Sequence, residues 1–290
     1  MTSRTLAWLG CGLVVLFLFG VGVVLMFSIG FMDDGEFPKL GRKVAVVGLT
    51  GTIVSSDRLV KTLAEMGEDD AIEAVVLRID SPGGGIAPSQ EIHDALIRLR
   101  ARKPVIASMA NTAASGGYYV AVACDSIMAN PGSLTGSIGV IFSWMTAEEL
   151  MRKVGVRMEV VKSGPNKDMG SFAREPTDEE RRLLEGVVND AYQQFIDAVT
   201  AGRALSRDEV LALADGRVFT GRQALELGLV DRLGGQREAV EWAARMAGIE
   251  GEPVVVDRGR SRIPWADWLE ESSRTVLPDV AGPRLEYRFR

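Results

Sequence analysis

Pro104-Val-Ile-Ala-Ser-Met-Ala-Asn-Thr-Ala-Ala-Ser115-Gly-Gly-Tyr-Tyr-Val-Ala-Val-Ala-Cys124 decides how the chain is read. Residues 104–110 form a short apolar run, the mark of a buried strand. Residues 118–124 are apolar again and suit a buried helix. Between them, Asn111 to Gly117 are mostly small. A serine at such a junction sits at a helix N-terminus, where free backbone N–H groups point outward. Two uses of Ser115 stay open. It is either an N-cap, a common role for serine, or a nucleophile whose small neighbours let a second backbone come close.

Working outward, the same alternation of element types repeats. Lys43 to Val54 is rich in β-branched residues and reads as a strand. Leu59 to Met66 suits a short helix. Ala74 to Ile79 is a second apolar strand, and it runs into Asp80-Ser-Pro-Gly-Gly-Gly85. A helix follows from Ser89 to Arg102, and then the strand at 104–110. This βαβα order implies an α/β fold, a parallel sheet with helices on both faces. Beyond Cys124, Ser126–Ala129 is a short strand and Thr146–Val154 a helix. Val156–Lys162 alternates like a strand, and Gly164–Phe172 is a loop. Thr177-Asp-Glu-Glu180 is a capping box opening a long helix to Arg203. Helices at Ser206–Ala214 and Glu238–Met246, with a helix and short strand within Phe219–Leu233, close the domain. Residues 251–290 read as polar and irregular, with Trp265 and Trp268 in an amphipathic turn.

Composition removes several function classes. The 290 residues are 47% hydrophobic and 25% charged, with a net charge of -6. That balance, without a basic aromatic patch, speaks against a nucleic-acid partner. The two cysteines, Cys11 and Cys124, lie in separate apolar segments and suggest neither a disulfide nor a metal site. His93 is the single histidine. A His-rich zinc site is therefore excluded, and no metal or cofactor is expected. A Ser-His-Asp triad would have to use His93, which lies off the apolar stripe of its helix and reads as a surface or packing residue. An activated serine in this chain needs another base.

The first segment is of a different kind. Leu6–Met32 is uncharged and mostly apolar. It exceeds the roughly 20 residues needed to cross a bilayer, and also the 7–15 residue core of a typical signal peptide. Residues 1–32 are accordingly expected to be a retained transmembrane anchor. Arg4 precedes it and Asp33, Asp34 and Glu36 follow, so the N-terminus is expected in the cytoplasm and the bulk outside it. The expected organisation is anchor 1–32, linker 33–42, main domain 43–248 and C-terminal extension 249–290.

Three loops carry groups suited to acyl transfer. Ser81-Pro-Gly-Gly84-Gly85 is no P-loop, for no Gly-Lys-Ser/Thr follows, and it lacks the dinucleotide fingerprint. Its reading is either an ordinary turn or an exposed N–H for an oxyanion. In the second loop, the Gly116 amide lies beside Ser115 and can be a second oxyanion donor; losing one such donor typically costs about 3 kcal/mol. Lys167 lies in the third, a Gly/Pro loop among apolar neighbours. A lysine serves as base only when neutral, and burial against an apolar wall favours the neutral amine. Lys167 is either a solvated surface residue or the missing base.

The motifs Ser-Pro-Gly-Gly-Gly, Asn-Thr-Ala-Ala-Ser-Gly-Gly-Tyr-Tyr-Val-Ala, Thr-Gly-Ser137-Ile-Gly-Val and Lys-Ser-Gly-Pro-Asn-Lys167-Asp-Met-Gly-Ser-Phe, in that order, resemble the signal peptide peptidase A family. Asp215-Gly-Arg-Val-Phe-Thr-Gly-Arg-Gln-Ala and Gly228-Leu-Val-Asp231 resemble its closing segment, so the likeness runs from Lys43 to Met246. It implies a ClpP/crotonase-like fold and a membrane-anchored bacterial serine peptidase. Ser115 and Lys167 match the catalytic pair, Gly84 and Gly116 the oxyanion donors, and Ser137 the serine beside the lysine amine. This is the short form, with both catalytic residues in one domain, and similar members assemble as rings or domes. The implied substrates are remnant signal peptides and other apolar or unfolded segments. The implied place is the bacterial inner membrane, with the catalytic domain on the periplasmic or extracellular side. Asp80 departs from the asparagine frequent in the family. The rival readings are a crotonase-like acyl-CoA enzyme, which needs no nucleophile, and an inactive membrane scaffold.

Overall fold

Strand β1 (Lys43–Thr50) sends alternate side chains to opposite layers, the period-2 rule of a pleated strand. Val44 and Val46 fall in one apolar cluster and Ala45, Val47 and Leu49 in the other. Strand β2 (Ile72–Ser81) divides in the same way, with Ala74 and Val76 on one face and Val75, Leu77 and Ile79 on the other. A sheet buried on both faces needs such near-continuous apolar strands. The computed structural model describes residues 42–258 and 284–288. The expected anchor, Leu6–Met32, and Trp265 and Trp268 lie outside them. Among the described residues no helix is long and apolar enough to cross a membrane.

The remaining elements follow in order. Helix α1 (Asp57–Glu68) precedes β2; β3 (Gly83–Gly85) leads directly into α2 (Ile86–Arg100). Next come β4 (Val105–Ala114), α3 (Gly116–Ala121), β5 (Ser126–Ala129), β6 (Leu134–Gly136) and β7 (Ile141–Ser143). Then follow α4 (Glu148–Lys153), α5 (Asp178–Gly202), α6 (Arg207–Leu213), β8 (Val218–Thr220), α7 (Gly221–Glu226), β9 (Arg232–Leu233) and α8 (Gln236–Met246). Two strands end the described chain, β10 (Val254–Asp257) and β11 (Arg284–Arg288). The main sheet runs β10-β1-β2-β4-β5-β9 and is parallel along that path; β6 pairs parallel with β4 and antiparallel with β8. Helix α8 covers one face through Ala239, Val240, Ala243 and Ala244. Helices α1, α2 and α3 cover the other. A mixed α/β fold dominated by parallel strands is the result.

Two expectations change. Val156–Lys162 forms no strand and is exposed throughout, with Val161 fully open to solvent. Among the described residues no strand pairs with this alternating stretch to take its hydrogen bonds. The stretch 251–290, expected to be irregular, contributes β10 to the main sheet. It also contributes β11, which forms a three-stranded antiparallel sheet with β3 and β7.

The loop bearing Lys167 is fixed from one side by charge. Asp168 accepts from Lys162 Nζ at 2.6 Å and from Arg174 Nε and Nη2 at 3.0 and 2.8 Å. Arg174 also pairs with Glu180, donating to Oε2 at 2.8 Å and to Oε1. Glu180 closes the capping box of α5 with Thr177, as the sequence predicts. Hydrogen bonds from Arg174, then Lys162, hold the Asp168 carboxyl well below the usual carboxylate range. Arg174 and the Thr177 amide bring Glu180 down to about 2. Depressed carboxylates support structure above their ordinary titration near pH 4, and that support is lost as pH falls through the folded value. Proteolytic protection of residues 160–175 should therefore hold from pH 7 to about 4 and vanish towards pH 2. Loss of protection already at pH 5 would contradict the clamp.

Candidate active site

Strand β4 runs on past the predicted Ala110, through Asn111–Ala114, and delivers Ser115 directly at its end. The chain then turns sharply. Ser115 has φ 52° and ψ -117°, a region that costs a non-glycine residue about 1–3 kcal/mol. The surroundings enforce the turn: the Ser115 amide donates to the Gly136 carbonyl at 2.8 Å, and the Ser115 carbonyl accepts from Tyr119 N at 2.8 Å. Ser115 occupies the N-cap position of α3, yet its side chain makes no capping hydrogen bond. The ordinary capping role is therefore unfilled, and the hydroxyl sits in a buried, strained strand-to-helix turn of the kind that presents nucleophiles.

The glycine loop comes to the same place. Asp80 accepts from the Thr112 amide at 3.0 Å, tying the end of β2 to β4. One carboxylate oxygen serves this purpose as an asparagine carbonyl would. Ser81 Oγ donates to the Gly51 carbonyl at 2.6 Å and accepts from Gly83 N at 3.1 Å. A Cβ on Gly83 would lie 2.7 Å from Gly116 N, and one on Gly84 would lie 2.2 Å from the Ile53 carbonyl oxygen. No side chain fits at either position. Glycine is needed so that β3 can pass over the first amide of α3. Gly83 O accepts from Ile53 N at 2.9 Å and Gly85 N donates to Ile53 O at 2.8 Å. Successive peptide groups in a strand face opposite ways, so the Gly84 amide faces away from Ile53, on the side of β3 where β11 lies.

Ser137 joins the same site. It is buried, has φ 50°, and its amide donates to the Arg217 carbonyl at 2.8 Å. Ser115 and Ser137, the two positive-φ non-glycine residues of the described chain, line one cavity of about 510 Å³. Its wall also includes Gly139–Ile141, Val188, Asn189 and Tyr192 of α5, and Ala214–Gly216. Lys167 is not among the lining residues; within the single chain it is exposed, not buried as the base role requires.

His93 does not join Ser115 in lining this cavity. It lies half-buried on α2, with its ring 5.0 Å from Tyr119 and Nδ1 3.2 Å from Asp94 Oδ1. Burial lowers its pKa, which suits a packing histidine. Among the described residues no cluster of His, Cys, Asp or Glu could hold a metal ion. The sequence reading missed the aromatic group Tyr119, Phe195 and Tyr287, which packs beside β3. Its members come from three distant segments, so no spacing could reveal it.

The arrangement brings a buried serine turn and the glycine backbone of β3 into contact at one end of the sheet, a setting suited to acyl transfer. Comparison with known proteins agrees. The family model Peptidase family S49 matches residues 97–250, more than half of the chain. A Synechocystis protein named as a protease is 48% identical over 218 residues, 74% of this chain and 78% of that protein. The chloroplastic serine protease SPPA of Arabidopsis thaliana is 36% identical over 245 residues, 83% of this chain and 34% of that protein. Protease 4 of Haemophilus influenzae is 33% identical over 237 residues, 78% of this chain and 38% of that protein. The chain thus spans most of the first relative and little more than a third of the other two. The strained serine turn lies inside the matched region, and the chain belongs to peptidase family S49, as a serine peptidase.

Proposed function

We propose that this serine peptidase cuts remnant signal peptides and other apolar or unfolded segments beside a membrane, through an acyl-enzyme on Ser115. The observation that carries the reading is the meeting of three features: a buried Ser115 hydroxyl free of capping duty, the adjacent Gly116 amide, and β3 crossing over that amide. Ser115 Oγ attacks the peptide carbonyl, the Gly84 and Gly116 amides hold the oxyanion, and the leaving amine takes the proton that Ser115 gave up. Water then hydrolyses the ester. A relative from Enterococcus faecium, 41% identical over 180 residues, is named for signal peptide peptidase SppA, which supports the substrate class. The ClpP/crotonase-like arrangement expected from the sequence is supported by the parallel strands β1, β2, β4 and β5 with turns at their ends. The apolar Leu6–Met32 segment supports anchoring, with the catalytic domain outside the cytoplasm. The strained turn at Ser115, whose hydroxyl has no capping duty, disfavours an acyl-CoA enzyme that needs no covalent step.

Lys167 is the proposed base, and its exposure has a physical reading. The arm that carries it bears solvent-exposed Leu150, Val154, Val156, Met158, Val161 and Phe172. A concentration of exposed apolar side chains marks an interaction surface. A homo-oligomer would cover that surface and bring Lys167 of one copy to the Ser115–Ser137 cavity of the next. There Ser137 would accept a hydrogen bond from the amine. The ion cluster of Asp168, Arg174 and Glu180 keeps the loop shaped for that delivery.

Ser115→Ala and Lys167→Ala should each lower kcat for an unfolded peptide by at least about a thousandfold while leaving the melting temperature unchanged. Substantial turnover by Lys167→Ala would rule out the lysine base. Co-assembling the two inactive variants should restore hydrolysis, because some sites then hold an intact serine and an intact neighbouring lysine. Mixed assemblies as inactive as either variant would place both groups in one copy.

A further inference from the structure

A single peptide group joins the nucleophile's turn to a surface loop. The Gly136 carbonyl accepts from Ser115 N at 2.8 Å, and the Ser137 amide, the other half of the same peptide, donates to the Arg217 carbonyl at 2.8 Å. A trans peptide is planar, with its C=O and N–H pointing opposite ways. This one is therefore held between two partners, Ser115 on one side and Arg217 on the other. The residues flanking it both have positive φ, Gly136 at 79° and Ser137 at 50°. Glycine enters that region freely and serine does not. Rotation of the peptide would return Ser137 to an ordinary negative φ and break both hydrogen bonds. The Arg217 carbonyl opposes that rotation.

Arg217 is in turn fixed by the side chain of Asp215. Oδ1 accepts from the Arg217 amide, two residues on, at 3.1 Å, which makes an Asx turn. The carboxylate also takes Arg217 Nε, at 2.7 Å to Oδ1 and 2.9 Å to Oδ2, and Nη2 at Oδ2. Gly216, the middle residue, has φ 88°, and its amide donates to the Ile138 carbonyl at 3.2 Å. Core packing does not set this turn. Ala214 before it is buried, with its carbonyl pinned by Tyr192 Oη at 2.8 Å, and Phe219 after it is buried. Asp215, Gly216 and Arg217 are exposed. Between the two anchors the loop takes its shape from the Asp215 carboxylate.

We infer that Asp215 is a positioning residue of the peptidase: through the Arg217 backbone it holds the Gly136–Ser137 peptide, and so sets both Ser115 and the Ser137 side of the cavity. This rests on the peptidase reading and adds to it a residue that shapes the site without entering the reaction. Its acceptor oxygen does the holding, and its charge does not.

The test is the steady-state kinetics of Asp215→Ala and Asp215→Asn in the assembled full chain, on one unfolded peptide. An exposed ion pair adds little to stability, so neither change should lower the melting temperature by more than about 4 °C. Asp215→Ala should cut kcat at least about tenfold with KM within about twofold, and should slow labelling of Ser115 by a serine-directed phosphonate in step. Asparagine keeps an acceptor at Oδ1, so Asp215→Asn should regain most of the lost kcat. Gly216→Ala disturbs the same turn and removes no charge: a Cβ there meets no neighbour, but the positive φ strains alanine. It should reproduce the kinetics of Asp215→Ala, and it carries the test where Asp215→Ala fails to fold. Glu241→Ala, which removes an exposed ion pair with Arg237 on α8, should leave kcat unchanged. An unaltered kcat in Asp215→Ala or Gly216→Ala, a loss confined to KM, or no rescue by asparagine would overturn the positioning role. Turnover that persists in Ser115→Ala would instead overturn the peptidase assignment itself.

Discussion

No side chain fits where β3 passes over the start of α3, and the rest of the site depends on that contact. The Cβ positions on Gly83, Gly84 and Gly116 fall 2.1 to 3.1 Å from backbone oxygen or nitrogen atoms of other segments. Bare backbone lets a strand, a helix N-terminus and a third extended chain share one small volume. Amides packed so closely are fixed before any substrate arrives, and donors that need no reorganisation stabilise developing charge best. The parallel sheet makes this geometry possible. Strands β2 and β4 are neighbours in the same direction, so their following turns lie at one end. That end carries Gly83–Gly85 and Ser115.

Strain and burial concentrate at the same end. Ser115 and Ser137 both adopt positive φ, and the Ser115 amide bonds to the residue before Ser137. Each is held by neighbouring backbone and not by its own preference, which is how a sparsely populated conformation persists. The price is a rigid floor to the cavity. Its opposite wall comes from α5, whose start is set by the Thr177–Glu180 capping box and tied through Arg174 to the Lys167 loop. One helix therefore shapes the cavity at its middle and the lysine loop at its beginning.

Much of this was legible from residues alone. The apolar runs at 74–79 and 104–110 gave the central strands because parallel strands buried on both faces must be apolar throughout. The serine turn was legible as a strand-to-helix junction, although two roles for Ser115 remained until its backbone angles and unused capping position were known. Lys167 stayed open between surface residue and base until the resemblance was weighed, since a lysine in a Gly/Pro loop carries no local mark of burial, and the single chain leaves it exposed. Val156–Lys162 misled because alternation reports two unlike faces and not the presence of an adjacent strand. Arg284-Leu-Glu-Tyr-Arg288 alternates charged and apolar residues, yet its partners lie in two distant segments, Gly83–Gly85 and Ile141–Ser143, and the pattern names neither.

The account turns on an activated Ser115. Mass spectrometry after treatment with a serine-directed peptidyl phosphonate tests this directly. The assembled wild-type protein should carry one adduct per chain, on Ser115, and Lys167→Ala should leave it almost unlabelled. A stable, assembled protein that takes no adduct, or takes it on Ser137 instead, would contradict the account.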